Sequence, residues 1–165
     1  MIKIAVLSLI FTICVFLGIF KKKELDLRKK ELDTFIYFTE NAKNDIFYKK
    51  KPLNLIFSDK ENNQKSEFFK KLLSSEKVLL SDKYLDAKRQ SLKCSALKAM
   101  DWKCIDTLFQ ILGKTDESSQ RNMLDEILTE LKSLRKNSCE DCENKGQFYV
   151  KMGLAAGAFA VIICI

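Results

Sequence analysis

The chain has 165 residues, the length of one globular domain, so we expect no second globular unit. It carries 29 basic and 22 acidic residues, a net charge of +7, and no histidine. Histidine is the easiest general base near neutral pH, and the acids interleave with lysines as on solvated helix faces. We therefore expect no enzyme, no catalytic residues and no cofactor-binding residues.

An apolar stretch without a charge opens the chain at residues 4–20, and Lys21, Lys22 and Lys23 follow it. A membrane-spanning helix needs roughly 20 largely apolar residues. No small-x-small cleavage site precedes the lysines, so residues 1–20 are predicted to be an uncleaved transmembrane anchor rather than a signal peptide.

Helical spacing of apolar side chains continues beyond this anchor. The recurring residues are Leu25, Leu32, Phe35, Ile36, Ala42, Ile46 and Phe47. They predict one long helix to about Tyr48, ended by Pro52, because the residue before a proline avoids helical geometry. A short helix over residues 52–57 follows, since proline fits a first helical turn.

The middle of the chain is predicted to contain a polar loop and several further helices. Residues 58–66 form the loop, and Phe68 and Phe69 start a helix whose continuation through residues 74–82 is ambiguous. Apolar residues spaced by helical turns predict two more helices, over residues 82–94 and 96–112.

The sequence LGKTD, residues 112–116, looks like the end of a phosphate-binding loop. That motif requires a glycine five residues before Gly113, but the residue there is Leu108, and the preceding segment has helical spacing. We interpret LGKTD as a helix–helix corner, with Gly113 in the left-handed conformation and Thr115 or Asp116 capping the next helix.

The last predicted helix carries the apolar residues Leu124, Ile127, Leu128, Leu131 and Leu134. Residues 136–147 lack such a stripe and are predicted to be a solvent-facing neck before a C-terminal transmembrane helix at residues 148–165. Gly153 and Gly157 would let another helix approach closely. The predicted fold class is all-α: an antiparallel helical bundle at residues 21–147 between N- and C-terminal transmembrane helices.

Charge sets the expected orientation and partners. By the positive-inside rule, the lysines after the first anchor place residues 21–147 in the cytoplasm and both termini outside. That segment carries 27 basic and 22 acidic residues, which suits membrane lipid or an acidic partner. Its four arginines are not clustered and no aromatic–basic stacking surface is predicted, so we expect no nucleic acid.

Cys139 and Cys142 are the one cysteine pair with metal-ligand spacing. A structural zinc site needs four ligands, and Cys94 and Cys104 would complete a set only if the fold brought them to the neck. We expect reduced cytosolic thiols and no metal ligands. A thiol or metal protein that uses Cys139 and Cys142 is the alternative.

Three motifs, in order along the chain, carry a resemblance to a known family. They are Ile46-x-Tyr48-x-x-x-Pro52-Leu53, Leu112-Gly113-x-Thr115-Asp116-x-x-x-Gln120, and Glu143-Asn144-Lys145 ahead of Lys151-x-Gly153-x-x-x-Gly157 and an apolar ending. With the two apolar ends, they make the chain similar over nearly its full length to stage III sporulation protein AB of endospore-forming bacteria. Gly146 and the Cys139–Cys142 pair depart from the family pattern, and residues 58–95 match weakly.

The resemblance implies a sporulation protein of the mother-cell membrane around the forespore, with its soluble domain in the cytoplasm. That domain is similar to those of the inner-membrane platform protein of type II secretion. The implied role is a non-enzymatic platform or adaptor in a secretion-like complex required for endospore formation. Its implied partners are other stage III sporulation A-type proteins, including a cytoplasmic motor ATPase. A generic two-span membrane adaptor outside sporulation stays open as the alternative.

Overall fold

The computed structural model describes residues 2–51, 53–57, 66–75, 77, 79–112 and 117–164. All regular structure in these residues is α-helical, in six helices. The predicted all-α class is confirmed.

Helix α1 runs over Ile2–Phe47 without a break, which confirms the predicted long helix to about Tyr48. The backbone beyond Phe47 shows how the helix ends. Lys50 takes the left-handed conformation, with a φ of 47°, and the Lys51 backbone N–H donates a hydrogen bond to the Asp45 carbonyl at 3.0 Å. The helix has therefore ended before Pro52, which lies outside the described residues.

Four shorter helices follow: α2 Leu53–Phe57, α3 Glu67–Ser74, α4 Leu80–Ser91 and α5 Ala99–Ile111. Helix α2 agrees with the short helix predicted after the proline. Helix α3 begins where the phenylalanine pair predicted it, because the Ser66 side chain accepts a hydrogen bond from the Phe68 backbone N–H at 3.2 Å. The predicted loop at residues 58–66 lies outside the described residues except for Ser66.

The connection between α4 and α5 is longer than predicted, since α4 ends at Ser91 and α5 begins only at Ala99. In this connection, side-chain oxygens rather than helical carbonyls accept hydrogen bonds from the backbone N–H groups. The Ser95 hydroxyl accepts from the Leu97 N–H at 3.1 Å, and the Asp101 carboxylate accepts from the Lys98 N–H at 2.8 Å. The predicted helix boundaries at residues 94 and 96 were therefore wrong.

Helix α6 spans Glu117–Cys164, so the predicted last helix, neck and C-terminal segment are one continuous helix. Helix α5 ends at Ile111 and α6 begins at Glu117, which confirms that LGKTD joins two helices. Gly113, Thr115 and Asp116 lie outside the described residues, and the left-handed glycine and the cap stay predictions.

The helices form two compact units. The first, which we call the hairpin unit, contains Met1–Lys29 and Lys136–Ile165, and the second, the core unit, contains Lys30–Arg135. The predicted domain boundaries at residues 20 and 147 separate the transmembrane helices from the bundle, and they stay predictions.

The core unit is built around stacked aromatic rings. The Phe69 ring centroid lies 5.4 Å from that of Phe35 and 4.8 Å from that of Phe38, distances typical of favourable ring pairs. Other buried apolar residues of this core are Leu32, Ile56, Phe68, Leu72, Trp102, Ile105, Leu108, Phe109, Leu124, Ile127 and Leu131. The apolar spacing read from the sequence therefore marks the side chains that form this core.

Candidate functional site

The closest approach of α1 and α6 in the hairpin unit is made through glycines. A Cβ atom on Gly18 would lie 2.6 Å from the Tyr149 carbonyl oxygen, and a Cβ on Gly153 would lie 2.7 Å from the Cys14 carbonyl oxygen. Only a hydrogen atom fits at either position, so the two helices meet backbone to backbone. The expected close approach at Gly153 is present, and the approaching helix is α1 of the same chain.

Gly157 continues this seam, because a Cβ there would lie 2.8 Å from the Phe11 ring. Gly18 was missed in the sequence, although a lone glycine inside an uncharged apolar run is the signal that points to it. Small residues on α6 and one glycine on α1 thus set how the hairpin packs.

The outward faces of the same helices carry large apolar side chains. Phe16 is 66%, Phe159 68% and Ile162 69% exposed. Further exposed apolar residues of this unit are Leu9, Ile13, Leu17, Ile19, Phe20, Phe148, Met152 and Leu154. So many exposed large apolar side chains on two helices indicate a surface that contacts something other than water. Within the described residues, no helix has both the length and the apolarity to cross a membrane.

The sequence predicted a solvent-facing neck at residues 136–147, but the structure buries part of it. Ser138 and Gly146 on it are buried, and a Cβ on Gly146 would lie 3.2 Å from the Lys22 side chain of α1. Small residues let this part of α6 pack closely without an apolar stripe, which is why the sequence pattern missed the contact.

An ion cluster joins α1 to the neck. The Arg28 side chain is 6% exposed, and its guanidinium lies 3.7 Å from the Asp141 carboxylate. The same carboxylate lies 2.6 Å from the Lys145 ammonium, and this hydrogen bond raises the pKa of Lys145. One carboxylate shared by two cations, one of them buried, fixes the neck to α1 because a lone buried charge is costly.

Cysteines of the described residues occur in both units. Cys139 and Cys142 are half-buried in the hairpin unit, where the Cys139 thiol lies 3.5 Å from a Glu143 carboxylate oxygen. Cys94 and Cys104 belong to the core unit, and burial raises the pKa of Cys104 to about 12, which makes it a poor nucleophile and ligand. The described residues contain no group of three or more cysteine, aspartate or glutamate side chains that could hold a metal ion.

Two polar clusters in the core unit join its elements. The Tyr84 hydroxyl donates to the Asp106 carboxylate, whose two oxygens lie 2.6 and 2.7 Å from the Lys88 ammonium. Burial raises the pKa of Tyr84, and the hydrogen bond to Asp106 adds to this. These contacts tie α4 to α5.

The second cluster ties the α4–α5 connection to α1. The Glu31 carboxylate accepts from the Ser95 hydroxyl and from the Ala96 backbone N–H at 3.3 Å. Burial raises the pKa of Glu31, although these two hydrogen bonds oppose the effect. The carboxylate explains why residues 95–98 leave the helical conformation.

Comparison with known proteins adds a family. The family model described as Stage III sporulation protein AB matches residues 3–165 and so runs through all six helices. Neither the curated proteins nor the solved structures yield a match. The chain belongs to the stage III sporulation protein AB family.

Proposed function

We propose that this sporulation-associated protein is a non-enzymatic platform or adaptor of a secretion-like complex required for endospore formation. Its place is the mother-cell membrane around the forespore. The apolar exterior of the hairpin unit is the observation that carries the membrane part of the proposal. The platform role and the partners rest on the family resemblance. Those partners are other stage III sporulation A-type proteins, including a cytoplasmic motor ATPase.

The hairpin unit has the inverse of the pattern expected for a helix pair in water. Its large apolar side chains point outward, and its helices meet through Gly18 and Gly153. In lipid, helices gain no hydrophobic stabilisation from each other and associate through small residues that permit close packing. Residues 4–20 contain no charge and residues 148–165 contain only Lys151, lengths close to the roughly 20 residues of a membrane-spanning helix.

Orientation follows from the lysines next to the apolar part of α1. Lys21, Lys22 and Lys23 are all exposed, as is Lys145 on α6. Lysines of this kind stay on the cytoplasmic side of a membrane. The core unit is therefore proposed to lie in the cytoplasm, where a motor ATPase could reach it.

The half-buried carboxylates of the core unit support an adaptor rather than an enzyme. Asp106 joins α4 to α5, and Glu31 joins the α4–α5 connection to α1. Each carboxylate has a helix-joining partner within the core unit, so both groups act in holding the bundle together.

Sporulating cells that carry a tagged full-length chain test the proposal. The protein should stay in the membrane pellet after alkaline carbonate extraction and should co-purify with the motor ATPase after detergent solubilisation. Gly153→Leu should reduce membrane retention and co-purification, because leucine cannot fit against the Cys14 carbonyl. The control Gly146→Ala should leave both unchanged, since its Cβ meets only a lysine side chain. Release of the unaltered protein by carbonate, or normal sporulation without it, contradicts the proposal.

The thiol alternative is tested separately. Replacing both Cys139 and Cys142 by serine should leave spore yield unchanged, because neither thiol holds the core together. A loss of sporulation with intact membrane retention and complex formation would favour the thiol function instead.

A further inference from the structure

The core unit carries a small basic and aromatic surface where α1 ends and α6 begins. We call it the Tyr48 patch, and it consists of Tyr48, Lys49, Lys50, Lys51 and Arg121. Tyr48 is 70% exposed. The Arg121 guanidinium lies 6.0 Å from the Tyr48 ring centroid and donates a hydrogen bond to the Tyr48 hydroxyl at 3.4 Å. Two helices thus contribute to one surface.

Asp45 holds the lysines of the patch in place. Its side chain is 7% exposed, and its carboxylate oxygens lie 2.8 Å from the Lys49 ammonium and 3.5 Å from the Lys51 ammonium. The hydrogen bond from Lys49 is the main cause that lowers the pKa of Asp45, so the carboxylate stays charged. One carboxylate facing two lysines leaves the pair with a net positive charge.

Lys50 adds a further positive charge between them. It is exposed and makes no ion pair with any described residue. Its φ of 47° is a conformation that glycine adopts without cost and that a lysine does not favour. A left-handed residue just after the last turn is a common way for a helix to end, so this conformation belongs to the end of α1. The exposed Lys50 side chain adds its charge to that of the neighbouring lysines.

We propose that the Tyr48 patch docks an acidic surface of a protein partner. The inference rests on the proposed platform role, since the partner belongs to that complex. Protein interfaces are enriched in tyrosine and arginine, and here the two residues lie side by side on the surface. Because Asp45 holds Lys49 and Lys51 in place, the two ammonium groups can pair with partner carboxylates at fixed positions. A polybasic segment that binds lipid does not need its lysines to be held in this way.

Site-specific photo-crosslinking tests this docking surface. A benzophenone amino acid is placed at position 48 of the full-length chain in sporulating cells, and the adducts are identified by mass spectrometry. The matched pair of variants is Lys50→Glu with Arg121→Glu, and the control is Lys70→Glu with Lys103→Glu. The control lysines are exposed on α3 and α5 and undergo the same change of charge.

The expected adduct is a protein crosslinked at a segment rich in aspartate and glutamate. Its yield falls about tenfold or more in the patch variant, because like charges then face each other, and it is unchanged in the control. Replacing the acidic residues of the crosslinked segment by lysine restores the yield with the patch variant. Lys50→Gly, which removes one charge at a position suited to glycine, lowers the yield several-fold without threatening the fold.

Three results would overturn the inference: adducts that consist of phospholipid or RNA, a protein adduct that survives charge reversal, or no adduct. Carbonate extraction and co-purification of the motor ATPase are measured on the same cells. If the platform docks its partners through another face, membrane retention and ATPase co-purification stay normal and no adduct forms. Failure of this inference is thereby distinguished from failure of the proposed function.

Discussion

The hairpin unit and the core unit are built from the same two long helices, yet these helices point opposite kinds of side chain outward in the two units. In the hairpin unit Phe16 and Phe159 are exposed, whereas in the core unit Phe35 and Phe38 of α1 are almost completely buried. The seam between the helices differs in the same way. Glycines form it in the hairpin unit, and large aromatic and aliphatic side chains form it in the core unit.

The contrast shows that small residues at the contact between two helices, with large apolar residues facing outward, indicate different surroundings from the reverse arrangement. Burying Phe38 removes apolar area from water and stabilises the core unit by the hydrophobic effect. The glycine seam gains little from that effect and depends on close packing, which is the stronger contribution in lipid. In the membrane location that we propose, one helix lies in two media because its small and large residues exchange faces along its length.

The largest expected effect separates the two kinds of phenylalanine. Phe38→Ala should lower the free energy of unfolding by about 4 kcal/mol, because it leaves a cavity among stacked rings. Phe16→Ala should change it by far less, since Phe16 is already 66% exposed. Denaturant unfolding of the full chain in detergent micelles, followed by circular dichroism, measures both. Equal losses for the two variants would break the comparison.

A glycine substitution tests the seam of the hairpin unit. Gly18→Val should destabilise the protein by about 3 kcal/mol, because its Cβ would overlap the Tyr149 carbonyl oxygen. Gly146→Ala is the matched control, since its Cβ meets only the flexible Lys22 side chain and alanine favours the helix. If Gly18→Val unfolds with the same midpoint as the control, the helices do not meet backbone to backbone.

Glu31 predicts how the stability of the core unit depends on pH. Its pKa is raised in the folded protein above the usual 4.5, so folding favours the protonated carboxyl. This contribution is fully present below pH 4.5 and is lost as the pH rises through the folded pKa. Glu31→Gln should therefore become more stable relative to the original protein between pH 4.5 and neutrality. A stability difference that does not vary over this range would refute the assignment.

The smallest expected effect is a gain in stability. Lys50→Gly should raise the free energy of unfolding by about 1 kcal/mol, because glycine adopts the left-handed conformation without the steric cost that lysine bears. The control is Lys70→Gly inside helix α3, which should lower it by a similar amount. A loss of stability on Lys50→Gly would show that the Lys50 side chain contributes to the fold itself.

The helices could be predicted because their apolar spacing is local. Phe35 and Leu32 mark the buried face of α1 in the sequence, and the structure buries both. The α4–α5 connection could not be predicted in this way, since Glu31 captures Ser95 from 64 residues away. Local propensity contains no information about such a distant partner.

The candidate surfaces show the same limit. The glycines of α6 indicated a close helix contact but not that Gly18 of α1 supplies the other side. Residues 48–51 of the Tyr48 patch are consecutive in the sequence, but only folding brings Arg121, 73 residues from Tyr48, to the tyrosine. The buried neck was missed because Ser138 and Gly146 pack closely without forming an apolar stripe.

Thiol labelling in lipid nanodiscs tests most directly whether the exterior of the hairpin unit contacts lipid. The full chain carrying Phe159→Cys is treated with a charged maleimide, and peptide mapping follows the engineered thiol and the native, exposed Cys94 of the core unit. Both faces of a nanodisc are open to the reagent, so only lipid can protect a thiol on an outward side chain. The account predicts rapid labelling of Cys94 and protection of the thiol at position 159. Equal labelling rates at the two positions would contradict it.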